Sequence, residues 1–281
     1  MSARHLLLPT PQGIGAGQTA TLNLPLGPTY DRIDIEMKTG GGAGTEVPST
    51  AWGSNIDDIR LIVDGRTEIE INAADLAKMN QFYGLTVEAG VLSLHLTAPW
   101  ARTIGGEDLG GYGTAGGMAS FTLEIDLISG ITINSLRCRY IQGDTKPYGP
   151  HTFIRRLAKS FAAVGIDEVA DIPKGAYNLL GLHITDANIG HIEIEADGQV
   201  QHDTLAKSRR NQYRITGRSK QSGMTHIDFV GKNRIAFVDG ESGQIRAEAF
   251  PMALRDFRLK LDFEVAPSTY EIYQYGIAGA R

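Results

Sequence analysis

The chain has 281 residues, 42% of them hydrophobic and 21% charged, with a formal net charge of −5, which is ordinary for a soluble globular protein with one large core or two smaller ones. One cysteine, Cys138, excludes an intrachain disulfide framework. No stretch approaches the roughly 18 apolar residues of a spanning helix, and Gly, at 34 of 281 residues, is well above the usual share of about 7%, pointing to tight turns and long loops.

The chain opens MSARHLLLPTPQG, whose three-leucine run before Pro9 is too short for a signal peptide, so folding in a reducing cytoplasm is expected. In "LPLGPTYDRIDIEM" (24–37), Ile33, Ile35 and Met37 alternate with Asp34 and Glu36. Residues 39–54, rich in Gly, read as a long surface loop. "IRLIVDGR" (59–66) is an alternating strand ending in Asp-Gly, and Ile69 and Ile71 then alternate with Glu68 and Glu70. Residues 73–83 are good helix formers behind Asn72, a capping residue. "GVLSLHLT" (90–97) leads to a second Gly-rich loop over 102–117, and then "FTLEIDL" (121–127) alternates again. In 152–164, Phe153, Leu157, Phe161 and Val164 make an apolar stripe, which predicts a helix stopped by Gly165 and packed at a domain junction. Period-two segments with one polar face predict antiparallel sheets, and many short strands without regular intervening helices favour a sandwich or jelly roll.

The second half rewrites the first. "IPKGAYNLLGLHIT" (172–185) matches 24–37, "IEIEADGQ" (192–199) matches 59–66, Leu205-Ala206-Lys207 follows as Leu76-Ala77-Lys78 does, "MTHIDFVG" (224–231) answers 90–97, and "FRLKLDF" (257–263) answers 121–127. The order and spacing predict a duplicated domain, divided into 1–145 and 146–281. The first half holds 9 Lys/Arg against 16 Asp/Glu, a net −7, and the second 18 against 16, a net +2.

Chemical motifs are few. GYGTAG (111–116) fits Gly-x-Gly-x-x-Gly, but a strand follows it where a dinucleotide site needs a helix. His5, His95, His151, His183, His191, His202 and His226 show neither His-x-His nor His-Glu-x-x-His spacing. Glu68/Glu70 and Glu193/Glu195 lie two apart on polar strand faces, the pattern of a solvated sheet rather than an acid–base pair. Cys138 stands in no nucleophile motif. KSRRNQYRITGRSK (207–220) carries six basic residues, Lys207, Arg209, Arg210, Arg214, Arg218 and Lys220, and no acidic one. With a negative chain and no aromatic platform for bases, contact with acidic protein surface is favoured over phosphate.

The segments "AGQTATLNLPLGPTYDRIDI" (16–35), "IRLIVDGR" (59–66), "AGVLSLHL" (89–96), "IRRLAKSFAAVGIDEVADIPKGAYNLLGLHI" (154–184), "IEIEADG" (192–198) and "FRLKLDFEV" (257–265), in this order, resemble the major capsid proteins of the corticoviruses, tailless icosahedral phages with an internal membrane. The resemblance covers most of the chain. It implies an all-β fold of two tandem eight-stranded antiparallel jelly rolls, a double jelly roll with short helices and long Gly-rich loops. It also implies a structural, non-enzymatic role in the virion capsid as a pseudohexagonal homotrimer, whose six similar domains explain the duplication. Its partners would be further copies, a penton (vertex) protein, and the internal membrane or its proteins, without specific nucleic-acid binding. No cofactor is expected. The resemblance leaves room for a structural calcium ion, but no matched ligand set stands in this chain, and the loop 39–54 is longer than the family pattern. The six basic residues of 207–220 are the candidate subunit-interface residues. The alternative is a two-jelly-roll glycan-binding protein or carbohydrate-active enzyme, kept open by Trp52 and Trp100 in or beside loops.

Overall fold

Alternating burial settles most of the chain into strands. The computed structural model describes residues 4–100, 110–175, 177–229, 235–237 and 256–279, and the chain divides into two compact units, Met1–Ile154 with Gly279–Arg281 (unit 1) and Arg155–Ala278 (unit 2). The repeat placed the division at 145/146.

Unit 1 contains β1 (Arg4–Leu7), β2 (Thr19–Asn23), β3 (Thr29–Thr39), β4 (Thr45–Glu46), β5 (Ile56–Val63), β6 (Arg66–Asn72), α1 (Ala73–Phe82), β7 (Val91–His95), β8 (Tyr112–Gly113), β9 (Phe121–Leu127) and β10 (Ile133–Gly143). In one sheet β10 lies between β1 and β3, and β7 pairs with β3; in the other the order is β2-β9-β5-β6. The two-residue strands β8 and β4 pair with β3 on either side of the β7 stretch, at Thr29–Tyr30 and Lys38–Thr39. Leaving these short strands aside, the chain alternates between sheets as β1, β2, β3, then β5 and β6 as a hairpin, then β7, β9, β10, which is the eight-stranded jelly-roll path. Tyr30 of β3 meets Phe121 of β9 edge-on at 5.2 Å, so the two sheets close on one core.

The chain enters unit 2 within β11 (His151–Phe161), whose Ile154 makes a parallel bridge to Ile69 inside unit 1. There follow β12 (Gly165–Val169), β13 (Tyr177–Ile184), β14 (Ile189–Ala196), β15 (Gln199–Leu205), α2 (Ala206–Ile215), β16 (Thr225–Asp228), β17 (Ile235–Phe237), β18 (Phe257–Phe263) and β19 (Ser268–Ala278). The sheets are β11-β19-β13-β16, with β17 also on β13, and β12-β18-β14-β15. Strand for strand this is the path of unit 1. Phe263 of β18 packs on Tyr270 of β19 at 5.2 Å across the sandwich.

The duplication extends to register. Phe121, Leu123 and Ile125 oppose Val63, Leu61 and Ile59; Phe257, Leu259 and Leu261 oppose Ala196, Ile194 and Ile192. All twelve side chains are buried, each of the larger ones contributing about 1.5–3 kcal/mol. Both Asp-Gly pairs form two-residue hairpin turns with positive φ, 49° and 77° at Asp64 and Gly65, 49° and 76° at Asp197 and Gly198. Each Asp also ties down the start of the next core strand. Asp64 Oδ1 accepts the amides of Ala119 (2.8 Å) and Ser120 (2.7 Å), and Asp197 Oδ1 that of Asp256 (2.8 Å). Asp64→Ala loses both bonds and puts a Cβ without compensation in the left-handed region, so a loss of about 1–3 kcal/mol is expected in denaturant melts. An unchanged midpoint would show that the turn does not hold β9.

Two sequence expectations are corrected. Residues 152–164 are not a helix: 151–161 form β11. Phe153, Leu157 and Phe161 are spaced by four, an even number that keeps them on one face of a strand as well as of a helix. Val164 alone required the helical period, and it is 67% exposed. The Gly-rich stretches are also less external than expected. Within 39–54, Val47 and Trp52 are core residues, Trp52 on a short 3-10 turn. Tyr112 is fully buried in β8 and donates its hydroxyl to the Thr152 carbonyl at 2.5 Å. A side chain at Gly113 would collide with the carbonyl oxygens of Lys146 and Pro147, so this glycine of GYGTAG serves backbone packing. Residues 102–109 of that loop lie outside the described residues. The expected helix after Asn72 is present as α1, with Asn72 Oδ1 accepting the Ala74 amide at 2.9 Å.

Candidate assembly surface

The basic run folds as α2 and the turn behind it, and helical period divides its charges. Lys207, Arg210 and Arg214, at i, i+3 and i+7, are exposed, as is Lys220 beyond the helix. Arg209 and Tyr213, at i and i+4, face inward and are buried. Tyr213 fixes the helix to β16: its hydroxyl donates to the His226 carbonyl at 2.7 Å and accepts the Asp228 amide at 3.2 Å. Arg218 is also interior, ion-paired to Asp228, with the two side chains 7% and 5% exposed. Of the six candidate interface residues, Arg209 and Arg218 lie inside their own unit, which leaves Lys207, Arg210, Arg214 and Lys220 as the part of the run open to a neighbour. The four exposed cations share the surface with Leu205 and Ile215, 59% and 83% exposed.

Net charge changes when the compact units replace the sequence halves. Unit 1 holds 11 basic and 16 acidic residues, and unit 2 holds 16 of each. Unit 1 stays acidic, exposing Glu46, Asp57, Glu88 and Asp144, but the basic character of unit 2 is local to α2 rather than general.

Of the two glutamate pairs, Glu193/Glu195 is held in ion pairs, and an equivalent cluster stands in unit 1. Arg60 of β5 bridges Glu124 (3.1 Å) and Asp126 (2.9 Å) of β9. At the equivalent place in unit 2 the signs are exchanged: Lys260 of β18 bridges Glu193 (2.7 Å) and Glu195 (3.5 Å) of β14. Glu68 lies 3.5 Å from His151, whose Nε2 also meets the Tyr148 hydroxyl at 3.0 Å. These side chains line a cavity of about 340 Å³ in unit 1 with Val63, Asp64, Arg66 and Gly117. Trp52 is buried, and Trp100 has one face stacked on Tyr83 at 4.0 Å, so neither tryptophan adds an aromatic platform to that cavity. Cys138 is fully buried, and burial pushes its thiol up to about 12, far from a thiolate. His95 and His226 fall on β7 and β16, the matching strands expected. His226 Nδ1 meets His183 Nδ1 at 2.7 Å in the core of unit 2. Among the described residues no group of three or more His, Cys, Asp or Glu is gathered for a metal ion.

Sequence reading missed that 207–220 is mostly helix and therefore two-faced. The signal was available: α1 occupies the same place in the repeat, directly after the Asp-Gly hairpin.

Comparison with known proteins gives one answer across the chain. Models of the viral coat protein P2 N-terminal and C-terminal domains match residues 5–140 and 152–279. The major capsid protein P2 of Pseudoalteromonas phage PM2 is 25% identical over 276 residues, 93% of this chain and 92% of that protein. The crystal structure of major capsid protein P2 from bacteriophage PM2 superposes with a TM-score of 0.82 at 20% identity, over 99% of this chain and 98% of that one. A chain from the atomic structure of Sulfolobus turreted icosahedral virus gives 0.68 at 11% identity, over 98% of this chain and 91% of that one.

Proposed function

The chain belongs to the viral coat protein P2 family, and from that premise we propose that three copies form a pseudohexagonal tile of a phage shell. It is a structural major capsid protein, located in the virion capsid, with the double jelly-roll fold. The observation that carries the trimer is the repeat of one eight-stranded path in both units. Three copies then supply six similar domains about a threefold axis, which lets a trimer occupy a sixfold lattice position. A shell role needs no catalysis, and Glu193 and Glu195 are engaged by Lys260 while Cys138 is a buried thiol. Neighbouring tiles and a vertex protein are the remaining shell partners, with the internal membrane or its proteins beneath.

In such a ring, contacts between copies join a first unit to a neighbour's second unit. The exposed cations of α2 suit the acidic first unit, and opposite potentials steer association and penalise wrong registers. Single exposed pairs are worth about 0–1 kcal/mol, so apolar contact, to which Leu205 and Ile215 would contribute, must hold the tile. Reassembly of dissociated subunits followed by light scattering should slow with added salt, and slow further for Arg210→Glu/Arg214→Glu. A monomer at all concentrations would overturn the trimer. Salt-independent assembly with an unaffected double variant would overturn only the placement of α2.

A further inference from the structure

Two strand edges stay open, and the fold itself shows how such edges are closed. β15 ends its sheet and, among the described residues, pairs only with β14. β1 likewise ends its sheet and pairs only with β10. An edge strand presents a row of unpaired N–H and C=O groups, a template for another strand. Both edges also show apolar side chains to solvent. All four residues of β1 are exposed, Leu6 and Leu7 among them. Leu7 and Val200 of β15 are each 56% exposed, and the exposed Leu205 ends β15.

Unit 1 contains the closed counterpart of the β15 edge. Leu61 and Ile194 hold equivalent places, opposite Leu123 and Leu259, and they pair with Ile69 of β6 and His202 of β15. The same register sets Asn72, the cap of α1, against Leu205, the residue at the cap of α2, so β6 and β15 correspond along their length. Ile69 and Ile71 are fully buried, and Ile154, near the start of β11, bridges to Ile69 in parallel. At the two matching positions β15 carries His202 and Thr204, which are only half-buried and bond to each other at 2.9 Å. The strand that closes β6 is also informative. β11 ends its sheet beside β19 as β1 ends its sheet beside β10, so it is the second-unit counterpart of β1. A strand of the β1 kind on an edge of the β6 kind is thus a pairing that each chain already makes once. Both members of the second such pair stay exposed within one chain, so that pair needs a second copy.

We propose that β1 of one copy adds in parallel to the open edge of β15 in its neighbour, as β11 adds to β6. This rests on the pseudohexagonal tile and names the strands that join its copies. Each copy gives β1 and receives on β15, a head-to-tail contact of the kind that closes a ring when the rotation is a third of a turn. Main-chain hydrogen bonds hold the added strand, while Leu6, Leu7, Val200 and Leu205 leave water together. β15 runs directly into α2, so strand and helix present one continuous surface to the same neighbour.

The test uses the full chain, dissociated and reassembled, with size read by light scattering and neighbours read by cross-linking. Leu6→Asp/Leu7→Asp and, separately, Val200→Asp should each raise the protein concentration for half-assembly by about tenfold or more, since each sets a charge in an apolar contact. Copies carrying Leu6→Cys, mixed with copies carrying Val200→Cys, should join under a short bismaleimide, and the buried Cys138 should add no background. These cysteines replace exposed side chains, so the cross-link reads the contact even where an aspartate variant folds poorly. Neither population should cross-link alone. A product from Leu6→Cys alone would mean that β1 meets its own kind, and would overturn the pairing. An equal loss of assembly for Ile166→Asp, 63% exposed on the opposite edge strand β12, would show a general response to surface charge and overturn the assignment. Wild type that stays monomeric would overturn the tile and this contact with it. A wild-type trimer in which the aspartate variants assemble normally, or in which the mixture gives no cross-link, would overturn the β1–β15 pairing and leave the trimer standing.

Discussion

Leu259→Asp should leave the second unit unfolded. Leu259 is fully buried, on the face of β18 that also carries Phe257, Leu261 and Phe263, opposite Ile194 of β14. An aspartate there must either bury a charge or take up a proton in an apolar site, and either costs several kcal/mol beyond the lost leucine packing. That is comparable with the whole stability of a domain, about 5–15 kcal/mol. Leu123→Asp should do the same to unit 1, because Leu123 holds the equivalent place opposite Leu61. The control is one residue away. Thr122→Asp faces outward on the same strand, and surface changes of that kind stay within about ±0.5 kcal/mol. Hydrogen exchange resolved by peptide is the measurement: protection should vanish across β12, β14, β15 and β18 for Leu259→Asp. Soluble protein with native protection in those strands would mean the alternation had been assigned to the wrong face.

This contrast between Leu123 and Thr122 is also why the fold was so legible. Period two is unambiguous where apolar and charged residues strictly alternate, as in FTLEIDL and FRLKLDF, and duplication doubled each such signal. Legibility failed where spacing is degenerate. Phe153, Leu157 and Phe161 satisfy a helix and a strand alike, and the pairing of β11 with β19, distant in sequence, decided for the strand. It failed again where glycine density masked single anchors: nothing local announced that Trp52, among TGGGAGTEVPSTAWGS, would be 1% exposed. The assembly surface was half legible. Composition marked 207–220 as basic, but only helix phase separates Lys207, Arg210 and Arg214 from the buried Arg209. The exchanged charges of Arg60–Glu124 and Lys260–Glu193 were invisible from one strand at a time, because each pair is assembled across two strands.

Acid should weaken unit 2 well before its carboxylates titrate, through a pair of buried imidazoles. His183 is fully buried on β13 and His226 nearly so on β16, directly opposite each other, with their Nδ1 atoms 2.7 Å apart. One ring must donate and the other accept, so protonating the acceptor would set two N–H groups against each other. Tyr273 stands opposite His183 on β19, and the Tyr275 ring lies 6.3 Å from it. The Tyr213 hydroxyl is spent on the His226 carbonyl, and the Asp228 charge is already matched by Arg218. Burial lowers the His183 pKa to about 3, from 6.5. Between those values the unfolded chain binds a proton that the folded chain refuses, so this contribution is whole above pH 6.5 and is lost as the pH falls toward 3. Over the full window the loss is on the order of several kcal/mol, with a limiting slope of about 1.4 kcal/mol per pH unit. His95 of unit 1 is lowered to about 4 by burial and then by the nearby Arg32 charge, and adds in the same direction, but as a half-buried residue it weighs less. Denaturant melts from pH 7 to pH 5 isolate the effect, because carboxylates with ordinary pKa values titrate mostly below that range. Exchanging both rings for apolar ones, His183→Phe/His226→Leu, removes the hydrogen bond from both sides at once and leaves no orphaned partner. That variant should lose most of the slope between pH 6.5 and pH 5 while keeping a folded second unit at pH 7. A slope equal to that of wild type would place the acid sensitivity elsewhere.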